Sequence, residues 1–326
     1  MPPKVKRPRS PTAPLGTPAE PPSSPHRAKK LKLLASHSIQ SPFPDHPHPT
    51  PTAAAQVHTL LAAAHPDLAA RPRRPSNAND SARTCGSVPD VLESLVGTIL
   101  SQNTSSRNST AAKRGLDAAF GRNNFEAVAR APRADVVEAI KTGGLANKKA
   151  AVIQNILQEV HEKHGRYSLQ HLAAVADPEV KGKTGVSDEE AMQELVSYNG
   201  VGPKTASCVL LFCLGRASFP VDTHVFRLSR LLGWVPPKAD RVTAQAHLDL
   251  KIPDDLKYGL HVLMVGHGRR CKGCKSSGSA AKSDCVLKKW LREQKGAKEE
   301  ELETKFEDAV KDEGPVGGIL SVKEED

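Results

Sequence analysis

The sequence predicts an all-α protein. Apolar residues recur at the spacing of one helix face in several segments, while the alternation typical of half-buried strands is nearly absent. Residues 53–68 are rich in alanine and leucine, which both favour helix. The length fits one or two domains, and no internal repeat is visible that would indicate a solenoid.

Six further segments continue the helical pattern. Residues 91–100 place Val91, Leu95 and Ile99 on one helix face. A segment at residues 136–140 ends before a pair of glycines, which favour a helix stop. The remaining helices are expected at residues 148–161, 191–198, 205–214 and 224–232.

The two ends of the chain differ from this helical centre, which we expect to form a folded domain at residues 53–290. Residues 1–52 hold most of the prolines and few apolar residues, so we expect a disordered basic tail. The basic cluster at residues 27–32 resembles a nuclear localisation signal; the alternative is a solvated basic arm. We expect a nuclear protein, with the mitochondrion as a second location. Residues 291–326 form a charged, partly disordered tail.

Composition narrows the class of protein. No apolar run is long enough for a membrane span. The N-terminal region has no short apolar run, so we expect no secretory signal. Six cysteines are too few for a disulfide scaffold, which indicates a reducing compartment. The net charge of +10 favours a polyanionic partner.

The first functional signal lies in residues 194–214. A helix is followed by a tight turn that contains Gly200, Val201 and Gly202, and Pro203 then opens a second helix. Such glycines allow a close backbone approach, and amides at a helix N-terminus can bind an anion. We expect Val201 to fill the space between the two helices. The pattern predicts a helix-hairpin-helix that binds DNA phosphate; the alternative is an ordinary αα-corner.

Lys204 and Asp222 form the second signal. Lys204 follows the turn, and Asp222 lies 18 residues later, at the start of another helix. The carboxylate can cap that helix, or it can face the lysine across a cleft. Separately, the two residues read as a phosphate-contacting lysine and a structural cap. Together with the glycine turn they predict a catalytic pair.

These residues resemble the endonuclease III family of DNA glycosylases, in the helix-hairpin-helix (HhH-GPD) superfamily. The hairpin matches the family's LPGVG-K-TA pattern with Lys204 at its lysine, and residues 221–224 match its VDTH stretch, which contains Asp222. Further likeness to the family, in the same order, lies in residues 95–104, 143–150 and 267–269.

The resemblance covers residues 53–290 and implies a two-lobed fold with a DNA-binding cleft between the lobes. One lobe is expected from residues 91–214. The other combines the N-terminal helix with residues after 224, so it is discontinuous. The expected partner is double-stranded DNA with a damaged base or an abasic site. The protein is expected to be a monomer and not to associate with a membrane.

The chemistry of Lys204 fits this resemblance. An uncharged amine can displace a base at the sugar C1′ and form a Schiff base, while the Asp222 carboxylate takes a proton or stabilises positive charge. β-Elimination then nicks the strand, so we expect a bifunctional glycosylase with AP lyase activity. The resemblance favours oxidised pyrimidines as substrates. The alternatives are the same fold acting on 8-oxoguanine or mismatched bases, and a non-catalytic DNA-binding protein.

Several side chains are expected to contact DNA. The resemblance places an inserting glutamine near Gln102, but this loop has one residue fewer than the family's, which leaves Gln102 and Asn103 both open. The alternative role there is a polar helix cap. Lys148, beside Lys149, begins a helix and is either a phosphate contact or a solvated lysine. The other expected DNA-binding side chains are His224, near the hairpin, and Arg269.

The cysteine pattern departs from the family. The resemblance implies four cysteines spaced C-x₆-C-x₂-C-x₅-C that hold a [4Fe–4S] cluster. This sequence has Cys271, Cys274 and Cys285, and residues 275–283 resemble an insertion. We therefore expect that the cluster is lost and that a basic loop remains. The alternatives are free thiols, or a surviving Fe–S or zinc site with His267 or a distant cysteine as fourth ligand. Catalysis is expected to need no cofactor.

Overall fold

The computed structural model describes residues 40–70, 90–173, 185–274, 285–294 and 296. The regular elements of these ranges are helices, which confirms the predicted all-α class. The helices are α1 Pro51–Ala64, α2 Pro66–Ala69, α3 Val91–Leu100, α4 Ser106–Phe120, α5 Phe125–Arg130, α6 Arg133–Ile140, α7 Ala146–His164, α8 Asp188–Ser197, α9 Pro203–Val209, α10 Thr223–Leu231, α11 Arg241–Lys251, α12 Asp254–Arg270 and α13 at residues 286–294.

Side-chain caps fix where several helices begin. The carboxylate of Asp90 accepts the Glu93 amide at 2.7 Å and starts α3. Ser187 and Glu190 form a reciprocal capping box at the start of α8, with bonds of 3.1 and 2.8 Å. These contacts satisfy amides that have no partner within their own helix, so the caps define the helix starts.

The first lobe is built from α3 to α9. Its core is apolar and fully buried at positions such as Ile99, Ile153 and Val201. Helices α4 and α6 approach closely at Gly115, where a Cβ atom would lie 2.1 Å from the Ala139 carbonyl oxygen. The lobe is therefore packed tightly behind the hairpin formed by α8 and α9.

The second lobe combines α1 and α2 with α10 to α13. Its core surrounds Trp234 and Phe219, which are both fully buried. Helix α1 packs on α12, where a Cβ at Gly259 would lie 2.5 Å from the His58 ring. The expected discontinuous lobe is thus present, and the two cores are separate.

The segment before α1 also packs on the second lobe. Phe43 is buried in that core, and Ser41 Oγ lies 2.6 Å from His247 Nδ1. His247 Nε2 lies 2.6 Å from the carbonyl oxygen of His48. Residues 40–52 were expected to belong to a disordered tail, but Phe43 and His46 pack against His247 of α11.

Several expectations lie outside the described residues. These are the basic cluster at residues 27–32, the remainder of the N-terminal tail, the insertion at residues 275–283 and the C-terminal tail beyond residue 296. Among the described helices, none has the length and apolar composition that a bilayer span requires.

Candidate active site

A cleft of about 960 Å³ opens between the two lobes. The first lobe lines it with the end of α3, the loop that follows, and the start of α9. The second lobe lines it with the start of α10 and one face each of α11 and α12. The lining residues include Gln102, Asn103, Gly202, Lys204, Thr205, Cys208, Phe212, Asp222, His224, Gln245, Tyr258, His261, Arg269 and Arg270.

The hairpin turn has the backbone that its sequence predicts. Gly200 has φ +87°, a conformation that favours glycine. A Cβ there would also lie 2.6 Å from Val152 on α7, so both the backbone conformation and the packing require glycine. Val201 is fully buried in the first core, as expected of a residue that fills the space between the two helices. Gly202 caps α9, and nothing lies within 4 Å of the position its Cβ would take. The outer side of the turn is therefore open for a close approach.

Arg216 supports the hairpin from behind. Its guanidinium donates to the carbonyl oxygen of Leu172 at 2.7 Å and to that of Ser187 at 2.9 Å. Ser187 is the cap of α8, so one buried cation holds the base of the hairpin to the rest of the lobe.

Lys204 is the second residue of α9 and lines the cleft. Cys208 and Phe212 follow it at intervals of four residues and line the same cleft. The helical run continues through Leu210–Leu214 in a wider π-type turn, so this spacing keeps all three on one face. The hairpin thus presents its lysine and an aromatic ring along a single wall.

Asp222 lies in the opposite lobe and lines the same cleft. Its Oδ1 accepts the amides of His224 and Val225, each at 2.8 Å, and so caps α10. The structural role considered for this aspartate is therefore present. It coexists with a position on the cleft wall, because both amide bonds use the same carboxylate oxygen.

The segment that leads to Asp222 is held rigidly. The Phe219 amide donates to Asp249 Oδ1 at 2.6 Å, and the Val221 amide donates to Gln245 Oε1 at 3.2 Å. The carbonyl oxygen of Pro220 accepts from His261 Nδ1 at 2.9 Å. Three side chains from α11 and α12 thus fix the backbone that carries the carboxylate.

His261 is a site residue that the sequence analysis missed. It is buried on α12, lines the cleft, and feels the charges of both Asp222 and Lys204. Burial lowers the pKa of His261 to about 4, with Asp222 opposing this shift and Lys204 adding to it. Because Nδ1 donates to a carbonyl, Nε2 is left as an acceptor. A neutral histidine therefore lines the cleft together with the expected catalytic partners.

Its sequence signal was weak. His261 stands three residues after Tyr258, and both line the cleft from one face of α12, but such spacing is common in core helices. Phe212 connects them, with ring centroids 5.6 Å from Tyr258 and 5.5 Å from His261. The cleft thus has an aromatic wall that the motifs did not indicate.

Gln102 and Asn103 both reach the cleft, at its first-lobe edge. Gln102 Nε2 donates to Thr205 Oγ1 at 3.2 Å, which joins the end of α3 to the start of α9. Asn103 is exposed and has φ +50°, a left-handed conformation that asparagine tolerates better than most residues. Either side chain can extend toward a bound duplex, so the alternative between them stays open.

The two adjacent lysines of α7 have different environments. Lys148 is exposed, as a phosphate contact or a solvated lysine would be. Lys149 is buried, and its ammonium donates to the carbonyl oxygens of Leu100 at 2.8 Å and Gly143 at 2.9 Å. Burial lowers the pKa of Lys149. Lys149 thus caps the C-terminal end of α3 instead of contacting phosphate or solvent.

His224 and Arg269 meet at the second-lobe edge of the cleft. His224 lies against Gly268, and a Cβ atom added to Gly268 would be 2.8 Å from the Cβ of His224. Burial lowers the pKa of His224. Its ring contacts are with α10 and α12. Arg269 is exposed, and its guanidinium lies 3.4 Å from Ser106 Oγ of the first lobe. Arg269 therefore spans the cleft mouth.

The cysteine loop requires a correction. The structure brings Cys271, Cys274, Cys285 and His267 together, with one ligand atom of each within 4.8 Å of all the others. Loss of metal binding was expected from the count and spacing of cysteines, and this expectation is wrong. The count failed because a histidine supplies the fourth ligand, from the end of α12. The four residues form a candidate metal centre.

Hydrogen bonding within the cluster polarises two of its thiols. The bond with Cys285 raises the pKa of Cys274, and the bonds from Cys274 and His267 lower that of Cys285 to about 3. The two thiols and the imidazole are thus in mutual contact.

Known proteins are similar to this chain in both sequence and fold. Residues 96–253 match the family described as HhH-GPD superfamily base excision DNA repair protein. A candidate DNA glycosylase of Arabidopsis thaliana is 43% identical over 203 residues, which cover 60% of this chain and 65% of that protein. Endonuclease III of Thermotoga maritima is 31% identical over 199 residues, which cover 61% of this chain and 81% of the relative.

A solved structure gives the same result for the fold. The structure of endonuclease III in a trapped covalent intermediate with DNA matches with a TM-score of 0.52 at 21% identity, covering 70% of this chain and 90% of that one. Fold and sequence together define a member of the DNA glycosylases of base excision repair. The chain belongs to the HhH-GPD superfamily and is endonuclease III-like, which confirms the resemblance inferred from its motifs.

Proposed function

We propose that this protein is a bifunctional DNA glycosylase and AP lyase in which Lys204 is the nucleophile and Asp222 its acidic partner. One observation carries the proposal: the two residues come from different lobes and line one cleft together with the buried His261. A lysine that only contacted phosphate on the outer surface would not need this arrangement.

The first chemical step joins enzyme and substrate. The uncharged Lys204 amine attacks C1′ of the damaged nucleotide, and the bond from C1′ to the base breaks as the base leaves with the electron pair. The Asp222 carboxylate stabilises the positive charge that develops on the sugar and accepts a proton from the attacking amine. The bond from C1′ to O4′ then breaks, O4′ takes the electron pair and the proton held by Asp222, and the nitrogen lone pair forms the C=N bond of the protonated Schiff base.

The second step cuts the strand. Water takes a proton from C2′, and the electron pair forms the C1′=C2′ bond of an enamine. The nitrogen lone pair then restores the iminium, a C2′=C3′ double bond forms, and the bond from C3′ to oxygen breaks as the 3′ phosphate leaves with its electron pair. Water then hydrolyses the imine and releases Lys204. Neutral His261 supports these steps by holding the Asp222 backbone without adding a positive charge beside the lysine.

We propose oxidised pyrimidines as the substrate class. The support is the resemblance to endonuclease III, together with a cleft wall that suits an extruded base. Phe212 and Tyr258 offer ring surfaces, and Gln102 and Gln245 offer amide groups that can bond a base edge. We further propose that the protein acts in the nucleus, through the basic cluster at residues 27–32.

The test is borohydride trapping of the whole chain on duplexes that carry either one thymine glycol or one abasic site. Borohydride reduces a Schiff base to a stable amine, so the covalent complex migrates above the free DNA. We expect trapping with the natural protein on both duplexes and none with Lys204→Gln. Asp222→Asn should lower the trapping rate by about two orders of magnitude, the usual scale for losing an acid–base group.

The outcomes separate the alternatives. Trapping on the abasic duplex alone would keep the lyase and exclude oxidised pyrimidines, and duplexes with 8-oxoguanine or a mismatched thymine would then be tested. Binding without trapping on any duplex would overturn the catalytic proposal and favour a DNA-binding protein. Unchanged circular dichroism and abasic-site affinity of Lys204→Gln would show that its effect is chemical.

A further inference from the structure

We propose that His267, Cys271, Cys274 and Cys285 bind a single zinc ion, in place of the [4Fe–4S] cluster that the endonuclease III resemblance implies. The proposal does not depend on the chemistry of the cleft. It concerns the metal that the cysteine loop takes, and it follows from how closely the four ligand atoms stand.

The distances between the ligand atoms fit one ion. Zinc bonds of about 2.3 Å to sulfur and about 2.0 Å to nitrogen give tetrahedron edges of about 3.8 Å between sulfurs and about 3.5 Å from sulfur to nitrogen. The Sγ atoms of Cys274 and Cys285 are 3.3 Å apart. His267 Nε2 lies 3.6 Å from the first of these sulfurs and 3.5 Å from the second.

The same distances do not fit an iron–sulfur cube. Each protein thiolate of a [4Fe–4S] cluster binds a different iron atom, which holds the thiolates roughly 6 Å apart. All four ligand atoms here lie within 4.8 Å of one another. A cube would therefore require the three cysteines to move outward, although two of them are held in the core of the second lobe. The residues present do not fit this cluster.

The ligand set is one that zinc prefers. Three thiolates and one imidazole form a common closed zinc site, and the Cys271-x₂-Cys274 spacing is typical of it. Cys271 follows α12 directly, and its amide bonds to the His267 carbonyl oxygen at 2.8 Å. His267 in the last turn of the helix and Cys271 just beyond it are thus fixed relative to each other.

A second histidine orients the ligand. His65, at the end of α1, has its Nε2 2.8 Å from His267 Nδ1. With Nε2 of His267 on the metal, Nδ1 carries the proton and donates to His65. Metal-binding histidines commonly donate their other ring nitrogen in this way, which fixes the ring and the tautomer. His65 is therefore a positioning residue for the metal site.

The site is closed, so its role is structural. His267, Cys274 and Cys285 are each less than 5% exposed, and all four positions of a tetrahedron are filled by protein. The ion would tie α12 to the start of α13, two residues away from Arg269 at the cleft mouth. Zinc would thus hold the end of α12, which carries the arginine that spans the cleft.

The test measures metal content directly. The whole chain is expressed with added iron, purified without oxygen and without a metal-affinity tag, and analysed by plasma mass spectrometry and for acid-labile sulfide. We expect about one zinc per chain, negligible iron and sulfide, and no visible absorption. Replacing zinc with cobalt should give the absorption bands of a tetrahedral thiolate site.

Matched variants tie the metal to these residues. Cys285→Ser should lower the bound zinc at least tenfold, whereas Cys213→Ala, at a buried cysteine of the other lobe, should leave zinc at one per chain. His65→Ala should retain zinc but release it faster to a chelator, roughly ten- to a hundredfold. Stoichiometric iron with sulfide would overturn the proposal, and so would a chain that folds with no metal. If Cys285→Ser fails to fold, the cobalt spectrum and the metal content of the natural chain still decide.

Discussion

A buried histidine gives the cleft a pH dependence. His261 is 6% exposed, and burial lowers its pKa to about 4, against about 6.5 when unfolded. The folded protein therefore binds fewer protons than the unfolded chain between these values. Stability is fully present above about pH 6.5 and falls as the pH drops toward 4. Lys204 and Arg269 add to the shift, and Asp222 opposes it.

We predict that His261→Gln flattens this dependence. From pH 7 to pH 5 the natural protein should lose about 2 kcal/mol more unfolding free energy than the variant, because the linked proton uptake is removed. Urea unfolding at both pH values measures the difference. Burial also lowers the pKa of His58 and His247, but these histidines act equally in both proteins.

Exposed His48 provides the control, since His48→Gln makes the same substitution outside the cleft. Its pH dependence should match that of the natural protein. Equal slopes for the natural protein and His261→Gln would contradict the assignment of a neutral buried histidine.

At the residue scale, the sequence indicated the side chains that stand in motifs. Lys204 and Asp222 stand out because a glycine turn and a helix cap mark their positions locally. His261 does not, because its hydrogen-bond partner Pro220 comes from a distant segment. Counting cysteines failed because the candidate fourth ligand is His267, which the sequence offered only as an alternative.

At the scale of elements, the two glycines of the hairpin turn have separable roles. Gly200 has a positive φ, and its missing Cβ accommodates Val152 of α7. Gly202 has φ −107° and faces open space. The first glycine is thus required for folding, and the second keeps the outer side of the turn clear.

We predict opposite phenotypes for the two alanine variants. Gly200→Ala should lower the unfolding free energy by about 2 kcal/mol or more, from the strained φ and the overlap with Val152. Gly202→Ala should cost less than about 1 kcal/mol but weaken binding to duplex DNA, since its methyl group lies where a phosphate would approach. Urea unfolding and fluorescence anisotropy give the two readouts. Loss of stability without loss of affinity at Gly202 would contradict the proposed contact.

The sequence predicted which segments form helices better than it predicted where the helices end. The segments near residues 91–100 and 223–231 were found from apolar spacing, and polar caps mark their starts. The loop after α3 contains Asn103 in a left-handed conformation, which the sequence did not indicate. Backbone conformations of this kind depend on tertiary contacts, so the choice between Gln102 and Asn103 needs experiment.

At the scale of the whole molecule, the two cores explain how a discontinuous lobe could be expected. The resemblance supplied the order of segments, and the apolar patterns supplied the helices. The packing of residues 41–48 was not predictable, because prolines and histidines carry no periodic signal; only the fold brings Phe43 and Ser41 to α11. We expect cationic side chains at the cleft between the lobes to contact DNA phosphate.

Two neighbouring arginines at the cleft mouth test that electrostatic role. Arg269 is exposed, and its guanidinium donates to Ser106 Oγ over a long distance of 3.4 Å. Arg270 also lines the cleft, but it bonds Asp67 in a bidentate pair at 2.9 and 2.8 Å, which already neutralises its charge. Of these two arginines, Arg269 is therefore the one that we expect to replace counterions on DNA.

We predict that Arg269→Gln lowers the salt dependence of DNA binding and that Arg270→Gln does not. Each phosphate contact contributes about 0.9 to the slope of log Kd against log salt, so the first variant should lose about that amount. Anisotropy on an uncleavable abasic-site analogue, titrated from low to moderate salt, measures both slopes. Because Arg269 lies two residues from Cys271, chelator-treated natural protein should lose a similar part of the slope. Equal slopes for both arginine variants would exclude Arg269 from the phosphate contacts, and would leave the hairpin turn as the phosphate contact to test next.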